Sequence, residues 1–442
     1  MTIKRTLLST AVGLGMIAGV ATSAAADSHA TTITIATVNN GDMIRMQGLT
    51  DDFTAKHPDI SVEWVTLEEN VLRQNLTTDI STGGGAYDVM TIGTYEVPIW
   101  ANNGWLVSLN EGMADDFDAG DLLPAIAGGL TVDGNLYASP FYGESSMVMY
   151  RTDLMEKAGL EMPDAPTWAF IREAAAAMTD RENDINGICV RGKAGWGENM
   201  AFLTAMSNSF GARWFDEDWN AQFDSPEWAA TIDFYLGMLG ESGPAGAANN
   251  GFNENLTLFQ QGKCGMWIDA TVAASFVTGA DSTVADKVGF ALAPDNGLGK
   301  RGNWLWAWSL AIPSSSEKQD AAKTFISWAT GPAYAALVAG NEGWANVPPG
   351  TRTSLYENQE YLDAAPFAKM TLESILSADP TNPSVQPVPY TGVQFVAIPE
   401  FAGIANQTGQ EFSNALAGNQ TATEALARSQ ALTTEEMEAA GY

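Results

Sequence analysis

Residues 303–313, NWLWAWSLAIP, decide how the rest of the chain reads. Trp304, Trp306 and Trp308 stand at alternating positions and lead into an apolar run that stops at Pro313. Alternation is the period of an extended strand, so the three indoles project from one face. The strand by itself leaves two readings open. The rings pack a core, as most tryptophans do. Or they form a platform on which the C–H faces of a sugar or polyol lie while its hydroxyls reach polar groups at the rim.

Further out, the first residues address the chain. Lys4 and Arg5, an apolar run over 7–20 and the small residues Ala24, Ala25 and Ala26 make a secretory signal peptide over 1–26. The run is too short and too rich in glycine for a membrane span, and no later stretch suits one, so the mature chain is expected in solution outside the cytoplasm. No cysteine stands at the cleavage site, which argues against a lipid anchor; an uncleaved anchor is the alternative.

A chain of 442 residues makes two domains more readily than one. Its net charge of −32, made more negative by cleavage, disfavours nucleic acid and anionic membranes, both of which need a basic face. The two cysteines, Cys189 in GICVRG and Cys264 in GKCGMWID, sit in strand-like runs. In an oxidising compartment a disulfide between them is expected, with two buried thiols as the alternative.

Strand and helix alternate from Thr31 onward. TTITIATV reads as a strand ending in an Asn39-Asn40-Gly41-Asp42 turn, and a helix closed by Pro58 follows. The strand ISVEWVTL, an amphipathic helix and the buried-looking strand YDVMTIG come next. This is the pattern of an α/β domain with a mostly parallel sheet, in which ligands bind beyond the carboxyl ends of the strands. Asn39, Asn40, Glu68, Thr94 and Tyr95 fall at those ends, where each could also cap a helix or fill a turn. Further along, GNLYASPFYGES carries Tyr142 and Glu144, and KCGMWIDA places Asp269 at a strand end.

Enzyme motifs are absent. The histidines are His29 and His57, and there is no H-E-x-x-H or Cys/His cluster for a metal. No G-x-S-x-G elbow or phosphate-binding glycine loop occurs, and Ser315-x-x-Lys318 lies in a polar loop where chance explains it. No cofactor is expected. A pair of acids meeting across a cleft keeps a secreted glycoside hydrolase as the rival reading.

The order of motifs resembles the extracellular solute-binding proteins of ABC importers, in the maltose- and sugar-binding family. The matching features are F-x-x-x-H-P after the opening strand, G-x-x-Y-D-V, GNLYASPF followed by YRTDL, and the W-x-x-I-R-E helix. F-x-x-G-K-C-G-M, SLAIPSSSEKQDAAKTFISW and a G-x-x-x-V-P loop complete the set. More narrowly, ATVNNGDMIRMQ and NWLWAWSLAI look like the sorbitol/mannitol-binding branch.

The resemblance implies an α/β, two-lobed periplasmic binding protein fold of type II, with a ligand cleft between lobes joined by hinge crossings. One lobe is expected from 27–130 and 310–364, the other from 135–306 and 366–442. It also implies a monomer in the periplasm, with a small neutral polyol or sugar as ligand and the importer's permease subunits as partners; a di- or oligosaccharide is the other ligand class. Asn39, Asn40, Glu68 (or Glu69), Thr94 and Tyr95 match the family's ligand-facing turns. Trp196 and Glu198 match a loop of the second lobe, and Tyr390 and Phe395 an aromatic wall. Trp306 and Ala307 replace the Gly-Gly of many relatives, which should shrink the pocket toward a monomeric polyol. Glu144, Glu198 and Asp269 are the candidate hydroxyl acceptors, and Arg191, Asn341 and Arg352 the candidate donors, though salt bridges would occupy the arginines equally well.

Overall fold

The β-branched run at the start forms β1 (Thr31–Val38), parallel on one side to β2 (Ile60–Leu67) and on the other to β3 (Val89–Ile92). The structure is a computed structural model that describes residues 30–442, so the expected signal peptide lies outside the described residues. Helix Glu69–Thr82 connects β2 to β3. It buries Leu72, Leu76 and Ile80, which the four-residue spacing places on one face, and it stops at Gly83, whose φ of 65° suits glycine. The single helix expected after β1 is two, Gly41–Gly48 and Thr50–Lys56, separated at Leu49.

A short hairpin, β4 (Thr131–Val132) and β5 (Asn135–Leu136), precedes β6 (Ala138–Glu144) and β7 (Ser146–Arg151). The remaining strands are β8 (Asn186–Cys189), β9 (Cys264–Ala270), β10 (Val288–Leu292) and β11 (Trp306–Ala311). Two larger sheets result, ordered β2-β1-β3-β11-β6 and β10-β7-β9-β8. The tryptophan strand β11 thus threads between β3 and β6, antiparallel to both, with Trp306 opposite Glu144 and Trp308 opposite Tyr142. The register shifts between Trp308 and Ser309, and all six residues of β11 are buried. A disulfide joins Cys189 on β8 to Cys264 on β9.

Sheet membership corrects the expected division at one point. Residues 138–144 were expected with the second half of the molecule, yet β6 pairs with β11 in the first sheet. Trp306 belongs to that sheet as well. The sequence shows two consecutive strands there, but not that the chain changes sheets at Ser145, the one residue between β6 and β7. The chain crosses back between β10 and β11, and crosses again further on. There, helix Ala368–Leu376 packs against β6 of one sheet and against β7 and β10 of the other.

Helices Trp168–Met178, Pro226–Ser242 and Phe252–Gln260 pack on the second sheet, and Asn199–Ser209, Phe401–Leu416 and Ala422–Ala440 pack on Pro226–Ser242 and on one another. Their starts follow familiar chemistry. Ser225 caps Pro226–Ser242 by accepting from the Trp228 N–H, and Thr421 and Glu424 form a reciprocal capping box. No helix among the described residues is long and apolar enough to cross a membrane.

Candidate ligand-binding site

Between the two sheets, beyond the ends of β1, β6 and β9, lies a narrow cavity lined by side chains from both. All three tryptophans of the opening stretch line it. Trp306 and Trp308 meet edge to face, ring centres 5.5 Å apart, and Trp196 meets Trp306 the same way at 5.6 Å. Room for Trp306 comes from Gly93: a Cβ there would lie 1.9 Å from the indole Cζ2. Gln394 holds the approach to this strand by donating to the Leu305 carbonyl (2.8 Å) and accepting from its N–H (3.3 Å).

Two arginines are built into the walls, each neutralised. Arg191 pairs with Asp269 through Nη2 to Oδ1 (2.6 Å) and Nε to Oδ2 (2.9 Å), and donates from Nη1 to the Gly197 carbonyl (2.7 Å). Asp269 also accepts from Trp267 Nε1 and the Ala270 N–H, so its oxygens are fully engaged. Arg73 lies with its Cζ 3.9 Å from the centre of the Trp196 ring, 4.6 Å from Trp308 and 5.0 Å from Trp306. Its guanidinium pairs with Glu69 (2.9 Å) and Glu96 (2.5 Å). Cations over indole faces are favourable, the more so when desolvated.

The remaining polar groups stay uncharged. Burial pushes Glu144 up from 4.5 to about 8, with Arg191 opposing the shift and Asp269 and Glu69 adding to it. Burial likewise raises Glu198 to about 8, again opposed by Arg191 and assisted by Glu69. Burial keeps Tyr142 protonated, and its hydroxyl accepts from Asn40 Nδ2 at 2.9 Å. A neutral carboxyl and a phenol each both donate and accept, as an alcohol does. The cavity is therefore fitted for uncharged hydroxyls.

Several expected residues reach this space: Asn40, Tyr142 and Glu144 from the first sheet, Arg191 and Trp196 from the second, and Trp304, Trp306 and Trp308 between. Others stand behind it. Asp269 is tied to Arg191, Glu198 accepts from the Phe252 N–H (3.2 Å), and Phe395 backs Trp306 and Trp196.

The rest are corrected by their surroundings. Glu68 caps helix Glu69–Thr82 and pairs with Lys193 at the rim (2.5 Å), while its neighbour Glu69 lines the cavity. Asn39 sits at the rim beside Asn253, and Thr94 is buried against Gly129. The Tyr95 hydroxyl donates to the Ile398 carbonyl (3.1 Å), outside the cavity. Asn341 is exposed on helix Pro332–Glu342. Arg352 spends its guanidinium on the Phe117 and Thr330 carbonyls, and Tyr390 accepts from the Trp214 N–H. Sequence reasoning missed Arg73, Phe252 and Gln394. Only Arg73 left a trace, its i,i+4 spacing from Glu69.

An α/β molecule with two sheets meeting around a cavity whose wall charges are paired internally has the build of a binding protein. The chain belongs to the bacterial extracellular solute-binding proteins, whose family pattern it matches over residues 40–336. It is 54% identical over 414 residues to a mannitol-binding protein of Pseudomonas aeruginosa, covering 93% of this chain and 94% of that one. It is 68% identical to an ABC transporter solute-binding protein of Agrobacterium vitis S4 solved with bound D-mannitol. That match has a TM-score of 0.93 and covers 93% of this chain and all of the other. A solute-binding protein of Agrobacterium radiobacter K84 in complex with ribitol shares the fold at a TM-score of 0.81 and 22% identity, covering 92% of this chain and 98% of its own. These likenesses establish the type II, two-lobed periplasmic binding protein fold.

Two expectations follow. Asp269→Ala strands the buried Arg191 cation and should lower stability by about 3–5 kcal/mol, measured by chemical denaturation without ligand; an unchanged midpoint would mean that Asp269 is not the structural partner. The second concerns pH. Glu144 and Glu198, raised from 4.5 to about 8, hold protons in the folded chain that the unfolded chain has already released. Their contribution to ligand-free stability is therefore full below about 4.5 and is lost as pH rises through about 8. Glu144→Gln, fixed in the neutral form, should flatten part of that fall; parallel curves for variant and parent would contradict it.

Proposed function

We propose that this chain is a periplasmic receptor for a six-carbon alditol of the D-mannitol class, which it delivers to the membrane subunits of an ABC importer. The observation that carries the reading is the make-up of the cavity: indole walls, neutral hydroxyl partners and internally paired charges, contributed by both sheets. The two relatives named for or solved with mannitol support it, since they are similar over nearly the whole chain. Both are binding proteins rather than enzymes, and so the hydrolase reading is set aside. Export through the signal peptide over 1–26 and function as a monomer belong to the same proposal.

A neutral alditol gives no ion pair, so affinity comes from desolvated hydrogen bonds and from C–H surface against indoles. Micromolar binding needs about −8 kcal/mol, within reach of a few bonds to Glu144, Arg191 and Asn40 plus one or two ring faces. Closure follows from the crossings between the sheets. The two sides touch through Lys193 and Glu68 (2.5 Å) and through Asn70 Nδ2 and the Ala194 carbonyl (3.2 Å), contacts that opening would break. Ligand favours the closed form because only that form reaches it from both sides.

Calorimetry with D-mannitol, D-sorbitol, ribitol, D-glucose and maltose tests the proposal. A hexitol should bind best, and Trp306→Ala should weaken it by about 1–3 kcal/mol through loss of one ring's burial and stacking. Silence toward every alditol, or turnover of a glycoside into product, would overturn the receptor reading.

A further inference from the structure

The space between the two halves does not end at the cavity. Beyond Arg73 and Trp196 lies a second, open groove between helices Glu69–Thr82 and Phe401–Leu416. Its walls are polar and uncharged at Gln74, Thr77 and Thr78 on one helix and at Asn406 and Gln410 on the other, while Ala402 and Gly403 keep it wide. Arg73 and Trp196 are the two residues that line both spaces.

These two side chains form the wall between the spaces, with Arg73 Cζ 3.9 Å from the centre of the Trp196 ring. Each leaf is fixed from behind. Arg73 is held by Glu69 and Glu96, both buried. The Trp196 backbone N–H donates to Asn406 Oδ1 (2.9 Å), and Tyr95 and Phe401 pack against its ring, centres 5.0 and 5.9 Å away. Gly197 lets the loop approach: a Cβ there would fall 1.8 Å from Glu69 Oε1. The wall is therefore a constructed feature with bonded supports on both sides.

We infer that Arg73 and Trp196 are specificity-determining residues, a partition that limits the ligand to one alditol unit by separating the inner cavity from a groove able to take a second, sugar-sized unit. This rests on the receptor reading above. The groove supplies amides and hydroxyls for the hydroxyls of a glycosyl residue, and the charges at its inner end, Arg73 and Glu96, are already paired with each other. The partition stands where a glycosyl-alditol would have to pass to span both spaces.

The test is calorimetry with D-mannitol and with the disaccharide alcohols maltitol and lactitol on the full chain and two variants. The parent should bind mannitol and give no signal with the disaccharide alcohols. Arg73→Ala removes one leaf but leaves Glu69 and Glu96 without their cation, so Trp196→Ala, which keeps those charges paired, is run beside it. In either folded variant mannitol should weaken at least tenfold while a disaccharide alcohol becomes measurable, reversing the preference. A parent that binds maltitol or lactitol within tenfold of mannitol would overturn the partition, and this arm needs no variant to fold. So would a folded variant that loses mannitol and gains neither longer ligand. A parent that ignores all three removes the receptor reading and the partition with it; mannitol binding without the reversal removes the partition only.

Discussion

A guanidinium cannot be buried unless its charge is met, and the pairing of Arg191 with Asp269 is the constraint on which the site depends. Asp269 belongs to β9, whose position is set by its neighbours β7 and β8. Arg191 lies just beyond β8 in a loop with no ladder of its own. The paired oxygens therefore fix the loop, and through the Gly197 carbonyl they fix the segment that carries Trp196. Breaking such a pair costs far more than forming it gains, because the orphaned charge stays in a low dielectric. Position is what the pair provides.

Electrostatic bookkeeping also explains the kind of guest the cavity accepts. Each arginine is answered by acids inside the wall, and the carboxyls left over are held neutral by burial. A charged solute would meet no free opposite charge and would lose its hydration. A solute lacking hydroxyls would leave Glu144, Tyr142 and Asn40 without partners, which is how such sites reject apolar analogues. The strong negative charge of the whole chain thus says little about the ligand; the local balance does.

Much of the fold was legible because it rests on local chemistry. β-Branched runs, strand–helix alternation and the stop at Pro58 named the early strands and helices in order, and the alternating indoles marked the strand that reaches the site. The sheet change at Ser145 was not legible, since one residue between two strands looks like a tight hairpin until hydrogen-bond partners are known. Residue roles at turns were the weakest point. Glu68 and Glu69 differ by a single step, yet one caps a helix and the other faces the cavity, which depends on how the helix is rotated against its sheet. Tyr390 and Arg352 were misplaced because buried backbone groups claim polar side chains as readily as a ligand does. Arg73, the residue touching most of the aromatic wall, gave only a helix-spacing hint, because stacking across distant segments leaves no local pattern.

The disulfide between β8 and β9 ties together the strand that leads into Arg191 and the strand that carries Asp269. Such a crosslink forms and persists in oxidising surroundings and is reduced in the cytosol. On that account a copy folded in the cytosol lacks the brace behind Arg191 and Asp269. Redox environment during recombinant production then becomes part of sample identity, since a thiol form and a bridged form share one sequence but not the same reinforcement of the floor beneath the guest.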